Sequence, residues 1–226
     1  MTLTMNNKPS RVATPISRDT MQDRVHRRLC DMILDGEIEP GQLVTIQSLA
    51  ETFGVSHMPV REALKRLLAA KALTVVSGRS IGIPRLNRSA LEDLRKVRLE
   101  IESLAAVWAC RNIEPAELNS LRRECQRLET ANAAEDVHSY LRANRAFHFS
   151  LYKGARSEVL LSVIETLWLQ ISPYFSLLHG EGNYSSANMQ HSMMVRALEQ
   201  KDEAGVERAI RADIDAAYHL LMKLVD

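Results

Sequence analysis

Cysteine is scarce in this sequence: Cys30, Cys110 and Cys125 are the whole set. They are odd in number and lack the paired spacing of a zinc or redox motif, which excludes a disulfide-stapled fold and a cysteine-built metal cluster. Each is read as a reduced thiol inside a helix. Long apolar runs are missing as well. No stretch of about 18 apolar residues exists, which excludes a spanning helix, and the polar start MTLTMNNKPS has no hydrophobic signal region. The expectation is a cytoplasmic protein with no membrane partner. A strong charge of one sign is also absent, since 29 Lys and Arg face 28 Asp and Glu.

What is present is a chain of 226 residues, 46% hydrophobic and 25% charged. That is the mixture of a soluble globular protein, with length enough for two compact domains. The balanced total hides an asymmetry. Residues 1–85 carry 12 Lys and Arg against 8 Asp and Glu, and the remainder 17 against 20. A basic first part joined to a mildly acidic second part suits a nucleic-acid module linked to a regulatory one. An excess of +4 is small for a sequence-nonspecific architectural protein, whose binding depends on many phosphate contacts.

Residues 1–17 hold Pro9 and Pro15 with no apolar period and read as a flexible arm. From Thr20 to Asp35 a helix is expected, with Val25, Leu29, Met32 and Ile33 on one face, Thr20 as its cap and Gly36 at its end. Pro40 and Gly41 then turn the chain. Thr45 caps a short second helix with Ile46, Leu49, Ala50 and Phe53 inward, and Gly54 stops it. Ser56 caps a third helix, Pro59 sits harmlessly in its first turn, and Val60, Leu64, Leu67 and Leu68 form its buried stripe. His57, Met58, Arg61 and Lys65 lie opposite. The segment LTVVSGRSIGIPRL alternates around a turn at Ser77 and Gly78 and reads as a two-stranded wing. These elements make a winged helix-turn-helix, whose second motif helix enters the DNA major groove. The competing reading is a solvated Arg61 and Lys65 pair on the polar face of an ordinary three-helix unit.

The stretch QSLAETFGVSHMPVREALKRLLAAKAL, above all GVS, PVREAL and Leu67 to Leu73, resembles the GntR family. Residues 91–111 and the later His positions are similar to its FadR-type branch with a helical FCD domain. The resemblance implies a sequence-specific transcriptional regulator, a repressor, acting as a homodimer on double-stranded operator DNA with an inverted repeat. It implies DNA contacts from Gln47, Ser56, His57, Met58, Arg61 and Lys65, with Gly78 in the wing near the minor groove. His57 and Met58 stand where the family often has Arg and Thr, and Gln47 where it often has Arg or Glu. A missing Arg removes a bidentate guanine contact that discriminates by about 1–3 kcal/mol.

Three units are therefore expected: the arm at 1–17, the winged domain at 18–86, and an all-helical effector-binding and dimerisation domain at 87–226. The fold class is mainly α. From Ala90 onward every segment reads as helix, with breaks near Glu114, Ala134, Arg156 and the loop HGEGNYSSA, giving a bundle of about six or seven helices. Leu91, Leu94, Val97, Ile101, Leu104, Ala105 and Trp108 form the first inward stripe, and the linker runs from Pro84 to Leu91.

Polar side chains interrupt the apolar faces of this bundle. Asn144 and His148 share the face of Val137, Tyr140, Leu141, Phe147 and Leu151; His191 joins Ala187, Met194 and Leu198; Asp213 joins Val206, Ile210, Ala217, Leu220 and Leu224. Burying an unpaired polar group costs roughly 1–3 kcal/mol, and a carboxylate more. One compensation gathers the four around a cation through two imidazole nitrogens, a carboxylate and an amide oxygen. The other is a metal-free network of Asn144–His148 and His191–Asp213 hydrogen bonds.

The FCD resemblance implies a divalent metal ion, with zinc, nickel and manganese all tolerable. The branch places an Asp four residues before a first His, followed by two later His. Here His148 and His191 match, Asn144 takes the Asp position, and Asp213 takes the third His position. The resemblance also implies that Arg98 faces the cavity and receives a small carboxylate effector; the competing reading is an Arg98–Glu102 salt bridge. Trp168, Tyr174 and Phe175 either line this cavity or fill the core. A metal-dependent hydrolase is the rival class. No general base stands at a recognisable spacing, however, and the wing would have no role in hydrolysis, so no enzyme is expected.

Overall fold

The computed structural model describes residues 20–78, 80–181 and 183–225, so the expected arm at 1–17 lies outside the described residues. Helix α1 (Met21–Leu34) opens with a reciprocal cap: Thr20 accepts from the Asp23 N–H, and the Asp23 carboxylate accepts from the Thr20 N–H. Its Val25, Leu29 and Ile33 are buried, and the chain leaves through Gly36 at φ +72. Helix α2 (Ile46–Phe53) is capped by Thr45 with Ser48 reciprocating, and ends at Gly54 in the left-handed region, φ +64. That conformation excludes most side chains but suits glycine, and it allows α3 (His57–Ala69) to start three residues on.

The wing differs from expectation. Strands β2 (Thr74–Ser77) and β3 (Ser80–Gly82) pair antiparallel as read, but β1 (Leu43–Val44) adds to the other edge of β3 in the order β1-β3-β2. A two-residue strand is too short to show any alternation, so sequence periodicity cannot find it. Ser56 stands at the N-cap of α3, yet its side chain makes no capping hydrogen bond.

The rest is helical: α4 (Arg88–Asn112), α5 (Pro115–Ala133), α6 (Val137–Lys153), α7 (Glu158–Ile171), a 3-10 helix (Ser172–Glu181), α8 (Asn183–Glu199) and α9 (Glu203–Leu224). Helix α4 begins at Arg88, capped by Asn87, so the linker is shorter than Pro84 to Leu91. The described residues of the segment HGEGNYSSA are helical rather than a loop. They close the 3-10 helix and open α8, and the unexpected break falls instead at Lys201, which adopts φ +54 before Asp202 caps α9.

The inward stripe of α4 is also corrected. The buried positions are Leu91, Arg98, Glu102, Ser103, Ala105, Ala106, Ala109 and Cys110, whereas Val97 is 39% and Leu104 41% exposed. Leu94, Val97, Ile101, Leu104 and Trp108 recur at alternating spacings of three and four, which keeps them on one face. Along that face Val97 and Leu104 are exposed and Ile101 and Trp108 are half-buried against the edge of the core, while small Ala105, Ala106 and Ala109 allow α9, α7 and α6 to approach α4 closely. On α9 the stripe likewise ends at buried Leu221, and Leu224 is exposed.

The bundle touches the winged unit through α1. Arg145 of α6 donates to Asp31 at 2.7 Å and to Asp35 at 2.9 Å. Leu141 of α6 lies so near Gly36 that an added Cβ there would meet its Cδ1 at 2.9 Å. The Tyr174 hydroxyl, on the 3-10 helix, donates to the Pro84 carbonyl in the linker.

Candidate functional site: a DNA-facing helix and a buried polar centre

Helix α3 buries Val60, Ala63, Leu64 and Leu67 against α1 and turns His57, Met58, Arg61 and Lys65 to solvent. Its cations divide into two kinds. Arg66 is tied back to Asp23 of α1 at 3.0 Å, and Lys65 to Glu62 at 2.8 Å. Arg61 makes neither an ion pair nor a hydrogen bond among the described residues. The Ser56 hydroxyl, unused as a cap, stands at the exposed start of the same helix. Gln47 is exposed on α2 and donates to Glu51 at 3.0 Å. Gly78, at φ +46, turns the wing tip.

Within the bundle, α6, α8 and α9 bring His148, His191 and Asp213 together, with one ligand atom from each within 4.8 Å of the others. The His148 Nε2 lies 3.1 Å from the His191 Nε2 and 3.4 Å from Asp213 Oδ2, while the His191 Nε2 is 3.8 Å from Asp213 Oδ1. Asn144 and Arg98 line the same cavity, as do Trp168, Phe175 and Tyr184. Its free volume is about 30 Å³, room for an ion with one or two waters. Trp168 and Phe175 thus both line the cavity and fill the core; Tyr174 is buried but stands outside it, holding the linker.

The competing reading of Arg98 is realised. Its Nε donates to Glu102 at 2.6 Å and its Nη2 at 3.4 Å, both groups being buried. Nη1 has no hydrogen-bond partner among the described residues. Glu102 also accepts from the Tyr152 hydroxyl, which in turn lies 3.0 Å from His148 Nδ1. Tyr152 was not singled out from the sequence, although its spacing of four from His148 repeats that of Arg98 and Glu102, and such pairs share a helix face.

Burial pushes the His191 imidazole down to about 4, against the attraction of Asp213, so it is neutral near pH 7. For Asp213, burial pushes the carboxyl up, but the hydrogen bond with His148 and the electrostatic pull of the two imidazoles and Arg98 outweigh it and hold it below the usual range. Burial and the adjacent Glu102 keep the Tyr152 phenol protonated. The His191 Nδ1 is buried without a partner among the described residues.

Neither of the two metal-free hydrogen-bonded pairs foreseen is formed among the described residues. Asn144 makes no hydrogen bond to His148 among the described residues, and the His191–Asp213 separation of 3.8 Å exceeds a hydrogen bond. Two nitrogens each about 2.0–2.1 Å from one ion, at octahedral or tetrahedral angles, stand about 2.9–3.4 Å apart. The His148 and His191 nitrogens fall in that interval.

The family model for bacterial regulatory proteins of the gntR family matches residues 21–83, and that for the FCD domain matches residues 93–216. The chain is 28% identical over 178 residues to the HTH-type transcriptional regulator McbR of Escherichia coli K12, covering 77% of this chain and 80% of that protein. It is 22% identical over 211 residues to the gluconate operon transcriptional repressor of Bacillus subtilis, covering 88% and 84%. The solved structure of E. coli McbR/YncC superposes with a TM-score of 0.83 at 25% identity, covering 91% of this chain and 98% of that one. A winged helix-turn-helix that leaves Arg61 to solvent, followed by a helical bundle with a polar centre, thus meets two adjoining family models: the chain belongs to the gntR family of bacterial regulatory proteins, in the branch that carries an FCD domain, and is a DNA-binding transcriptional regulator rather than an enzyme.

Proposed function

We propose that the protein is a homodimeric, sequence-specific repressor whose operator affinity answers to what occupies the bundle. Residues 18–86 bind DNA and residues 87–226 sense and dimerise. Arg61 and His57 reach base edges from the start of α3, Met58 offers an apolar contact to a thymine methyl, and Ser56, Gln47 and Lys65 position the helix on the backbone. Gly78 brings the wing to the adjoining groove. Such a regulator works where its operator is, in the bacterial cytoplasm. The name of the B. subtilis relative supports repression as the direction of control.

His148, His191 and Asp213 would hold a divalent ion, zinc, nickel or manganese, with Asn144 as a weaker neutral donor. A bound ion would supply the positive charge that three facing electron-rich atoms otherwise lack. A small carboxylate would join through Arg98 Nη1. The free volume of about 30 Å³ is too small for it, so its arrival requires Phe175 and Leu178 on the 3-10 helix to move, and Tyr174 on that helix holds the linker.

The observation that carries this reading is the double role of α6: Asn144 and His148 face the cavity, while Arg145 grips Asp31 and Asp35 of α1. The test is operator binding by fluorescence anisotropy at fixed salt. Arg61→Ala is expected to weaken specific binding about 5- to 150-fold without changing metal content, and chelation to change wild-type affinity. Equal affinity with and without the ion would remove the sensing role. Unchanged binding by Arg61→Ala would remove the docking mode.

A further inference from the structure

Two of the four residues in the buried chain Arg98, Glu102, Tyr152 and His148 have no part in the reading above. Donor and acceptor capacity along the chain leaves one arrangement. Arg98 only donates, through Nε to Glu102 Oε1 at 2.6 Å. A carboxylate paired with a guanidinium accepts, so the Tyr152 hydroxyl spends its single proton on Glu102 Oε2. What that hydroxyl keeps for His148 Nδ1, at 3.0 Å, is a lone pair. His148 therefore carries a proton on Nδ1, and in the neutral ring its Nε2 lone pair points at His191 Nε2 and Asp213 Oδ2.

We infer that Glu102 and Tyr152 are positioning residues that lock His148 in the metal-binding tautomer. The chain is the outer support of the buried centre, built from α4 and α6. Metal-ligating imidazoles generally donate their other N–H to such a partner, which fixes the ring and raises its basicity. The Arg98–Glu102 pair and the Tyr152 ring are all buried, so water does not compete for these hydrogen bonds. His191 has no equivalent among the described residues, where its Nδ1 is unpartnered. One imidazole is thus held by the protein and the other only by its surroundings. A carboxylate that drew Arg98 away from Glu102 would reach His148 through two hydrogen bonds.

This inference rests on the metal reading, and two measurements separate them. The first needs no metal: long-range proton–nitrogen NMR of chelator-treated protein reports which ring nitrogen of His148 bears the proton. Nδ1–H is expected in the wild type, with loss of that preference in Tyr152→Phe, which keeps the buried ring. An Nε2–H tautomer in the wild type, or no change in the variant, overturns the lock. The second is calorimetric titration of the full chain with zinc ion alone. Tyr152→Phe is expected to bind about 10- to 100-fold more weakly, with thermal unfolding checking that both proteins are folded. If the wild type binds zinc and the variant binds it equally well, only the supporting role falls. If the wild type takes up neither zinc nor, in parallel titrations, nickel or manganese, the metal reading falls and the supporting role with it.

Discussion

His191 shares with Glu102 an exposure of 0%, and one of its ring nitrogens has no partner among the described residues. Its folded pKa of about 4 lies below the value of 6.5 for a free imidazole. Between those values the unfolded chain binds a proton that the folded chain refuses, so stability falls as pH drops from 6.5 and the loss is complete below about 4. The shift corresponds to about 3 kcal/mol at most. Urea unfolding of chelator-treated protein at pH 7, 5.5 and 4.5 is expected to show this slope, and His191→Gln to flatten it. An unchanged slope would place the acid sensitivity elsewhere. The residue types His148, His191 and Asp213 were legible as a group because each interrupts an apolar helix face. Glu102 was legible only as a partner for Arg98, and Tyr152 not at all, because a tyrosine in a helix looks ordinary until its burial is known.

Helix ends show the same division on a longer segment. Thr45 and Ser56 both read as caps, and both occupy N-cap positions, but only Thr45 bonds the backbone, accepting from Ser48 N at 3.0 Å. Thr45→Ala is therefore expected to cost about 1 kcal/mol in chemical denaturation, and Ser56→Ala under about 0.5 kcal/mol, while only Ser56→Ala weakens operator binding. Equal destabilisation by the two would show that the Ser56 hydroxyl caps in solution. Helix α4 is the instructive misreading. Its heptad-like stripe of Leu94, Val97, Ile101, Leu104 and Trp108 reads as core, yet Val97 and Leu104 are exposed and Ile101 and Trp108 are only half-buried at its edge. Periodicity reveals that a face is apolar and not what covers it.

For the molecule as a whole, that partly exposed face and the α6 clamp set the expectations. An apolar stripe in alternating three- and four-residue steps suits a second copy of the same helix. Leu104→Glu is accordingly expected to convert a dimer to a monomer in sedimentation velocity and to weaken binding to an inverted repeat more than to a half-site. A dimer that survives the change would move the seam elsewhere. Arg145→Ala removes the bonds to Asp31 and Asp35 and touches neither the DNA face nor His148, His191 or Asp213. It should leave metal uptake intact and shrink the ratio of operator affinities with and without the ion toward one. A ratio equal to that of the wild type would exclude α6 as the route between the two parts.

Caps, turns, helix periods and the order of a winged motif before a helical bundle were all readable from residues close together in the chain, because each depends on local backbone conformation and on which faces are apolar. The third strand of the wing, the direction in which α4 presents its stripe, the Tyr152–Glu102 hydrogen bond and the grip of Arg145 on α1 join positions up to 114 residues apart. Such contacts depend on how helices rotate against one another and on which polar groups water can no longer reach, and no local spacing encodes either.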